Sequence, residues 1–411
     1  MLTRFALFLA ALGVVALSAC APKPVPCPTP LGNPQQPYAP PHPPKVGDIL
    51  YLPTGTYVSR AQMLRVATDS RVVYVGETHD NPASHRLELE VLKALENRYP
   101  GKTALGMEMF SSDQQPLLDR WLAGQLTDEQ FVRETGFERS WGWGYYRQIL
   151  HFARKRHIPV VALNTPKRLE HELMHMPAAK LPEADRKALP QMNMNDPYQR
   201  ALTEAVFSDH KAVKAHLSAF LRIQTLWDET MASNVARYLE SPAGQKRHML
   251  VMAGGNHIRF GFGIPRRVFR RIPVSYTLIG SKEIVIPADK QKELMNYKQP
   301  DFPMRPYDFL TFTVYEELPQ KVRLGVYLDD AGGNVTVRGV VPGSPAQKAG
   351  MRAGDVIKGF DGKAVHNAFD LIWALRQKHP GDEATLAIER EGKKLGATAH
   401  FPAAARKPAD K

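Results

Sequence analysis

Glu77 and His79 come at the end of an apolar, β-branched run, Val72-Val-Tyr-Val-Gly76-Glu77-Thr-His79. Two other runs end in the same way. Thr103-Ala-Leu-Gly-Met-Glu108 presents a carboxylate, and Met249-Leu-Val-Met-Ala-Gly-Gly-Asn256-His257 presents an amide and an imidazole. In open α/β sheets the carboxyl ends of parallel strands lie together and form the ligand crevice. Two imidazoles with one or two carboxylates can hold a divalent transition metal and leave a position for water. The same groups, with nearby guanidinium groups, suit a large anionic cofactor, because cationic donors satisfy propionates and a phenolate can ligate ferric haem iron. A source of phenolate is at hand in Trp141-Gly-Trp143-Gly-Tyr145-Tyr146, where the glycines admit flat groups. His85 lies six residues past His79, early in the next helix, and the sequence leaves open whether it faces the cleft or solvent.

The elements that must position these residues follow from periodicity. Val72–Val75, Thr103–Met109, Ile158–Leu163 and His248–Met252 read as short buried strands. Ala83–Asn97 reads as a helix with Leu87, Val91 and Leu92 on one face, and Pro116–Leu122, Asp128–Glu134 and Tyr145–Arg156 also read as helices. Residues 166–240 form a helix-rich insert, within which Ile223, Trp227, Met231, Val235 and Tyr238 recur at helical spacing. Val274–Leu278 and Glu283–Ile286 read as a terminal strand pair. Strands alternating with helices predict an α/β domain over 47–315, a mostly parallel sheet covered by helices on both faces. His171-Glu-Leu-Met-His175 matches the zinc-protease pattern His-Glu-x-x-His. However, Arg168 and Glu170 are polar where such helices are apolar, Pro177 ends the helix, and no third ligand follows at a familiar spacing.

The flanks bound the compartment. Arg4, the apolar Phe5–Leu17 and Leu17-Ser-Ala-Cys20 predict a signal peptide over 1–20, cleaved before a lipidated Cys20. Ala21 after that cysteine suggests the bacterial outer membrane, with the lipid-anchored chain facing the periplasm. Residues 21–46 hold eleven prolines and almost no charge, a stiff tether with a reach of about 80 Å at roughly 3.1 Å per residue. With Cys20 lipidated, Cys27 stands alone, which excludes a disulfide framework and a cysteine metal site. The net charge of +13 attracts anions. Nucleic acid is not an expected partner in this compartment, and Arg266-Arg267-Val-Phe-Arg270-Arg271 reads as a solvated basic surface.

Beyond the three prolines of 300–306 the pattern changes to short strands. Gly343-Ser-Pro-Ala-Gln-Lys-Ala-Gly350-Met-Arg-Ala-Gly354-Asp355-Val-Ile, the Asp361-Gly362 turn and an amphipathic helix over Asn367–Lys378 resemble a PDZ domain of the bacterial periplasmic-protease type, a small β-barrel-like fold over 321–403. The resemblance implies that backbone N–H groups of Leu324, Gly325 and Val326 hold the terminal carboxylate of a C-terminal peptide, which adds as a strand.

The first domain resembles the ChaN-like haem-binding lipoproteins, in the superfamily that includes Tiki-type and TraB-type proteins and erythromycin esterases. The resemblance rests on Gly76-Glu77-Thr-His79-Asp80-Asn81-Pro82 with His85, Gly106-Met-Glu108-Met-Phe110, Ala162-Leu-Asn164, Gln224-x-x-Trp227-Asp228-x-x-Met231-Ala232 and Ala253-Gly-Gly-Asn256-His257. It implies haem capture for iron acquisition, with haem held between two copies of the chain, rather than an enzyme. Tyr146 first and Tyr145 second are the expected iron ligands, with His79, His85, Glu77, Glu108, Asn256 and His257 around the cofactor. The Tiki-like and esterase-like relatives imply instead a metal-dependent hydrolytic site at His79, Glu108 and His257.

Overall fold

The computed structural model describes residues 40–207, 217–291, 300–319 and 322–403; the leader with Cys20 and the tether through residue 39, with Cys27, lie outside them. Eight strands form one sheet: β1 (Ile49–Tyr51), β2 (Thr56–Tyr57), β3 (Val72–Glu77), β4 (Thr103–Ser111), β5 (Val160–Asn164), β6 (His248–Gly254), β7 (Tyr276–Val285) and β8 (Phe309–Val314). Their order is β2-β1-β8-β7-β3-β6-β4-β5. The strands from β8 through β5 pair in parallel, and β1 and β2 add antiparallel at one edge. The alternation of β3 sends Val73 and Val75 to one face and Val72 and Tyr74 to the other, as the two-residue period of a strand requires. The first face packs under helices Arg60–Ala67, Pro82–Arg98 and Trp143–Lys155, and the second under Leu217–Glu240 and Ile264–Arg271. The chain therefore has the expected mostly parallel sheet with helices on both faces.

Two expectations fail, each for a physical reason. The stretch read as a terminal strand pair is one strand, β7, whose first half pairs with β3 and second half with β8. Gly280, between the two stretches read as separate strands, lies under the ring of Tyr307, where a Cβ would come within 2.3 Å of it. The glycine serves a close approach, not a turn. The arginine cluster is a solvated surface only in part: Arg266 and Arg270 are exposed, whereas Arg267 is buried. Arg267 is 1% exposed, and Arg267, Arg270 and Arg271 converge on the buried carboxylate of Glu229 at 3.2, 2.8 and 2.7 Å. An ionised carboxylate buried this deeply is tolerable only when paired.

The C-terminal unit is a second sheet with its own core. Strands β9 (Val326–Asp329), β10 (Val335–Val340), β11 (Val356–Phe360), β12 (Lys363–Ala364), β13 (Glu383–Arg390) and β14 (Lys393–His400) run in the order β14-β13-β11-β10-β9, with β12 on β11. Helix Ala368–Leu375 begins at a capping box formed by Asn367 and Asp370. One side of this helix meets the first domain. Phe369 and Trp373 pack against its core, Arg133 pairs with Asp370 at 2.7 Å while stacking over Phe369, and Arg376 pairs with Glu138.

Candidate functional site

Strand β6 lies between β3 and β4, so the polar ends of all three meet. The β4–β6 pairing stops at Met107↔Met252. Glu108 is thereby released from the ladder, and its carboxylate accepts a hydrogen bond from Gly254 N at 2.6 Å. His257 follows on a one-turn helix, Gly255–Ile258. Its Nδ1 bonds Asp228 Oδ1 at 2.6 Å, and its Nε2 lies 3.5 Å from Glu108 Oε1. His79 is arranged in the same way, with Nδ1 2.6 Å from Glu77 Oε1. A Cβ on Gly254 would lie 2.8 Å from His79 Nε2 and 3.6 Å from Glu108 Oε2. Two imidazoles, each tied at Nδ1 to a carboxylate, thus present Nε2 toward Glu108. Metal-ligating histidines commonly have this arrangement, because the outer carboxylate fixes the ring and raises its basicity.

Glu77 is a hub. Its Oε1 accepts from Tyr146 Oη at 2.6 Å as well as bonding His79. Burial alone would raise its carboxyl, but bonding with Glu88 and His79 and the charges of His85 and His79 outweigh burial and hold it at about 2. Burial would lower His79, yet its bond to Glu77 and the charges of Glu77, Glu108 and Asp80 raise it to about 9. His257 is also raised, since Glu108 and Asp228 overcome burial. Burial, then the charge of Glu77, pushes Glu88 well above the carboxylate range. Tyr146 is pushed well above the usual phenol value, chiefly by burial and then by Glu77.

Glu77, His79, Glu108 and His257 converge as one cluster, with His85 behind it. His85 is 5% exposed, bonds His79 O at 3.0 Å through Nε2 and Glu88 Oε2 at 2.9 Å through Nδ1, and does not face solvent. Tyr146 is sealed in the core, while Tyr145 is half-buried with its ring 5.5 Å from that of His85. Asn256 is half-buried and lines a separate small cavity shared with Gln199, Thr203, Gln224 and Asp228. The residues missed as site partners are Asp228 and Glu88. Each had a signal: Gln224 and Asp228 are four apart and His85 and Glu88 three apart, so each pair shares a helix face. His171 and His175 are exposed on helix Lys167–His175, with Glu172 held by Arg168.

A cleft opens beside the cluster, with Glu108, Phe137, Ser140, Trp141, Asn164 and Lys167 among its lining residues. The Trp141 ring stands edge-on to His79 at 5.1 Å. The family model described as haem-binding uptake, Tiki superfamily, ChaN matches residues 63–268. The chain belongs to the ChaN haem-binding family. A PDZ-domain model matches residues 322–400, so this ChaN-like domain is fused to a C-terminal PDZ domain. A solved structure of cofacial haem binding to ChaN of Campylobacter jejuni superposes with TM-score 0.51 at 15% identity, covering 66% of this chain and 98% of that one, which shows a shared fold. The curated relatives match short stretches. The serine protease Do-like HtrA of Bacillus subtilis (strain 168) is 34% identical over 95 residues, 22% of this chain and 21% of that protein. The magnetosome formation protease MamE of Magnetospirillum gryphiswaldense is 36% identical over 75 residues, 18% of this chain and 10% of that protein. The chain spans about a fifth or less of the length of these relatives.

Within the ChaN-like protein's PDZ domain, Leu324 is buried in the third core, Gly325 takes a left-handed φ of 82°, and Val326 opens β9. Among the described residues, β9 pairs with β10 alone, so it is an edge strand. No helix of the described residues is long and apolar enough to cross a membrane.

Proposed function

We propose that this protein binds haem in the bacterial envelope as part of iron acquisition. The observation that carries this reading is the cleft at the carboxyl edge of the sheet, lined by the Trp141 indole and by Lys167, with the His79 imidazole packed against that indole. Its residues fit the group: Trp141 offers aromatic surface to a macrocycle, and Lys167 offers a cation to a propionate. The chemistry that haem supplies when bound is an iron centre open to an oxygen or nitrogen ligand. Of the two tyrosines, Tyr145 is half-buried, whereas ligation through Tyr146 requires its hydrogen bond to Glu77 to break. In this reading Cys20 carries the lipid that anchors the chain to the outer membrane, on the periplasmic side, by way of the tether at 21–46. Two copies share the haem, and the exposed edge of β9 beside Leu324, Gly325 and Val326 takes a partner's C-terminal peptide. The test is a haemin titration of the full chain followed by absorbance. The expected result is a saturable Soret band of tyrosinate type that shifts in Tyr145→Phe or Tyr146→Phe, with light scattering reporting a haem-dependent dimer. Absence of saturable binding would sink the proposal.

A second reading is favoured by the two Nε2 atoms aimed at Glu108. His79, Glu108 and His257 would hold a divalent transition metal, and the cleft would admit the substrate of a metal-dependent hydrolase. His257→Ala should remove one equivalent of metal from protein prepared without chelators, and metal-free wild-type protein would count against this reading.

A further inference from the structure

We propose that Glu77, His85 and Glu88 form a second, buried cation site beneath the His79–Glu108–His257 cluster, built for a divalent transition metal. Their ligand atoms lie within 4.8 Å of one another. The side chains of Glu77 and Glu88 are 0% exposed and that of His85 is 5% exposed. Glu77 Oε1 is occupied by Tyr146 and His79, but no neighbouring donor reaches Glu77 Oε2 or Glu88 Oε1, and only a proton shared between the two carboxyls would bond them. A buried carboxylate oxygen without a donor costs free energy unless something cationic or protonic satisfies it. His85 is set up as a ligand. Its Nε2 lies 3.0 Å from His79 O and donates there, so in the neutral ring Nδ1 carries the lone pair that a metal would take. That Nδ1 lies 2.9 Å from Glu88 Oε2 and 3.5 Å from Glu77 Oε2. A metal-bound histidine typically gives its other ring N–H to a backbone carbonyl in this way.

The local chain geometry makes the arrangement rigid. His85 and Glu88 are three apart on helix Pro82–Arg98, and Glu77 ends β3, which the helix follows. One imidazole and two carboxylates suit zinc, iron(II) or manganese rather than a soft ion, and two carboxylates match the charge of a divalent cation. Glu77 belongs to both clusters: Oε1 orients His79 above, and Oε2 points to the buried position below. The competing occupant is a proton shared between Glu77 and Glu88. A cation entering the site takes the place of that proton and releases it to solvent.

The test uses the full chain, stripped with chelator, without haem, and titrated with Co(II) by equilibrium dialysis and visible absorption. Glu88→Gln keeps the shape and the polar contact but removes a charge. It is expected to lose one equivalent of metal or to weaken that equivalent at least tenfold, while His257→Ala retains it. Unchanged stoichiometry and affinity in Glu88→Gln overturns the proposal. So does wild-type protein that binds no ion and shows the infrared carbonyl band of a buried carboxylic acid that disappears in Glu88→Gln. Should the variant not fold, electron spin echo spectra of Cu(II)-loaded wild type decide the matter. One coupled imidazole supports the buried site, and two coupled imidazoles alone place the ion at His79 and His257 and overturn the proposal. Haemin titration is a separate measurement, so loss of the haem reading leaves this outcome readable.

Discussion

At the scale of single residues, the site is held by carboxylates that act on imidazoles. Glu77 keeps His79 charged: burial opposes the cation, but the bond to Glu77 and the surrounding acids win and raise His79 to about 9. Its stabilising effect is therefore fully present below the ordinary histidine value of about 6.5 and is lost as pH rises through about 9. NMR titration of ring carbons should show this, and Glu77→Gln should return His79 toward about 6.5. No change in the His79 midpoint in that variant would remove Glu77 as the cause. Gly254 is needed for proximity. Gly254→Ala should push the His79 ring away from Glu108 at a cost of about 1–3 kcal/mol, the usual penalty of overpacking. Metal or haem affinity should fall more than global stability, as thermal unfolding and ligand titration on the same variant would show.

At the scale of elements, the strand–helix turn after β3 supports the site through Asn81. Its Oδ1 accepts from Ala83 N at 3.0 Å, capping helix Pro82–Arg98, and from Glu316 N at 3.2 Å. Its Nδ2 donates to Glu283 Oε1 and Val314 O, which ties the end of β8 to the same turn. Asn81→Ala removes a cap worth about 1 kcal/mol and leaves buried groups unsatisfied at about 1–3 kcal/mol more. A fall in urea midpoint corresponding to about 2–4 kcal/mol is expected, with His85 and Glu88 losing their fixed position. A shift below half of that would show that water replaces the side chain there.

At the scale of the whole molecule, the PDZ helix Ala368–Leu375 presents Phe369 and Trp373 to the ChaN-like core, and Arg376 meets Glu138. Glu138 also accepts from Trp143 N at 3.1 Å, in the segment that carries Trp141 over His79. Trp373→Ala should cost about 2 kcal/mol, roughly half the penalty for a fully buried tryptophan, because this one is only partly covered. Calorimetry should then resolve two transitions where wild type shows one, and small-angle scattering should show a larger radius. A single unchanged transition would mean that the domains unfold together for another reason.

The sequence by itself determined the α/β class, the strand ends that carry the polar residues, and the PDZ unit, because these are local signals of period and turn chemistry. Val72–Val75 is a short continuous apolar run that stops at Gly76, and the Gly343–Asp355 run has its helical turn and closing glycines. Only the tertiary structure decided which groups pair. Asp228 reaches His257 across 29 residues and Glu108 reaches Gly254 across 146, and no local pattern encodes such separations. Val274–Leu278 and Glu283–Ile286 read as two strands, while the structure runs one strand through Gly280, and a glycine under a ring and a glycine in a turn look the same in one dimension. Arg267 read as surface with its exposed neighbours Arg266 and Arg270 because the carboxylate it pairs with lies on another helix. His85 was undecided for the same reason: helical spacing gives a face, and only packing says what that face meets.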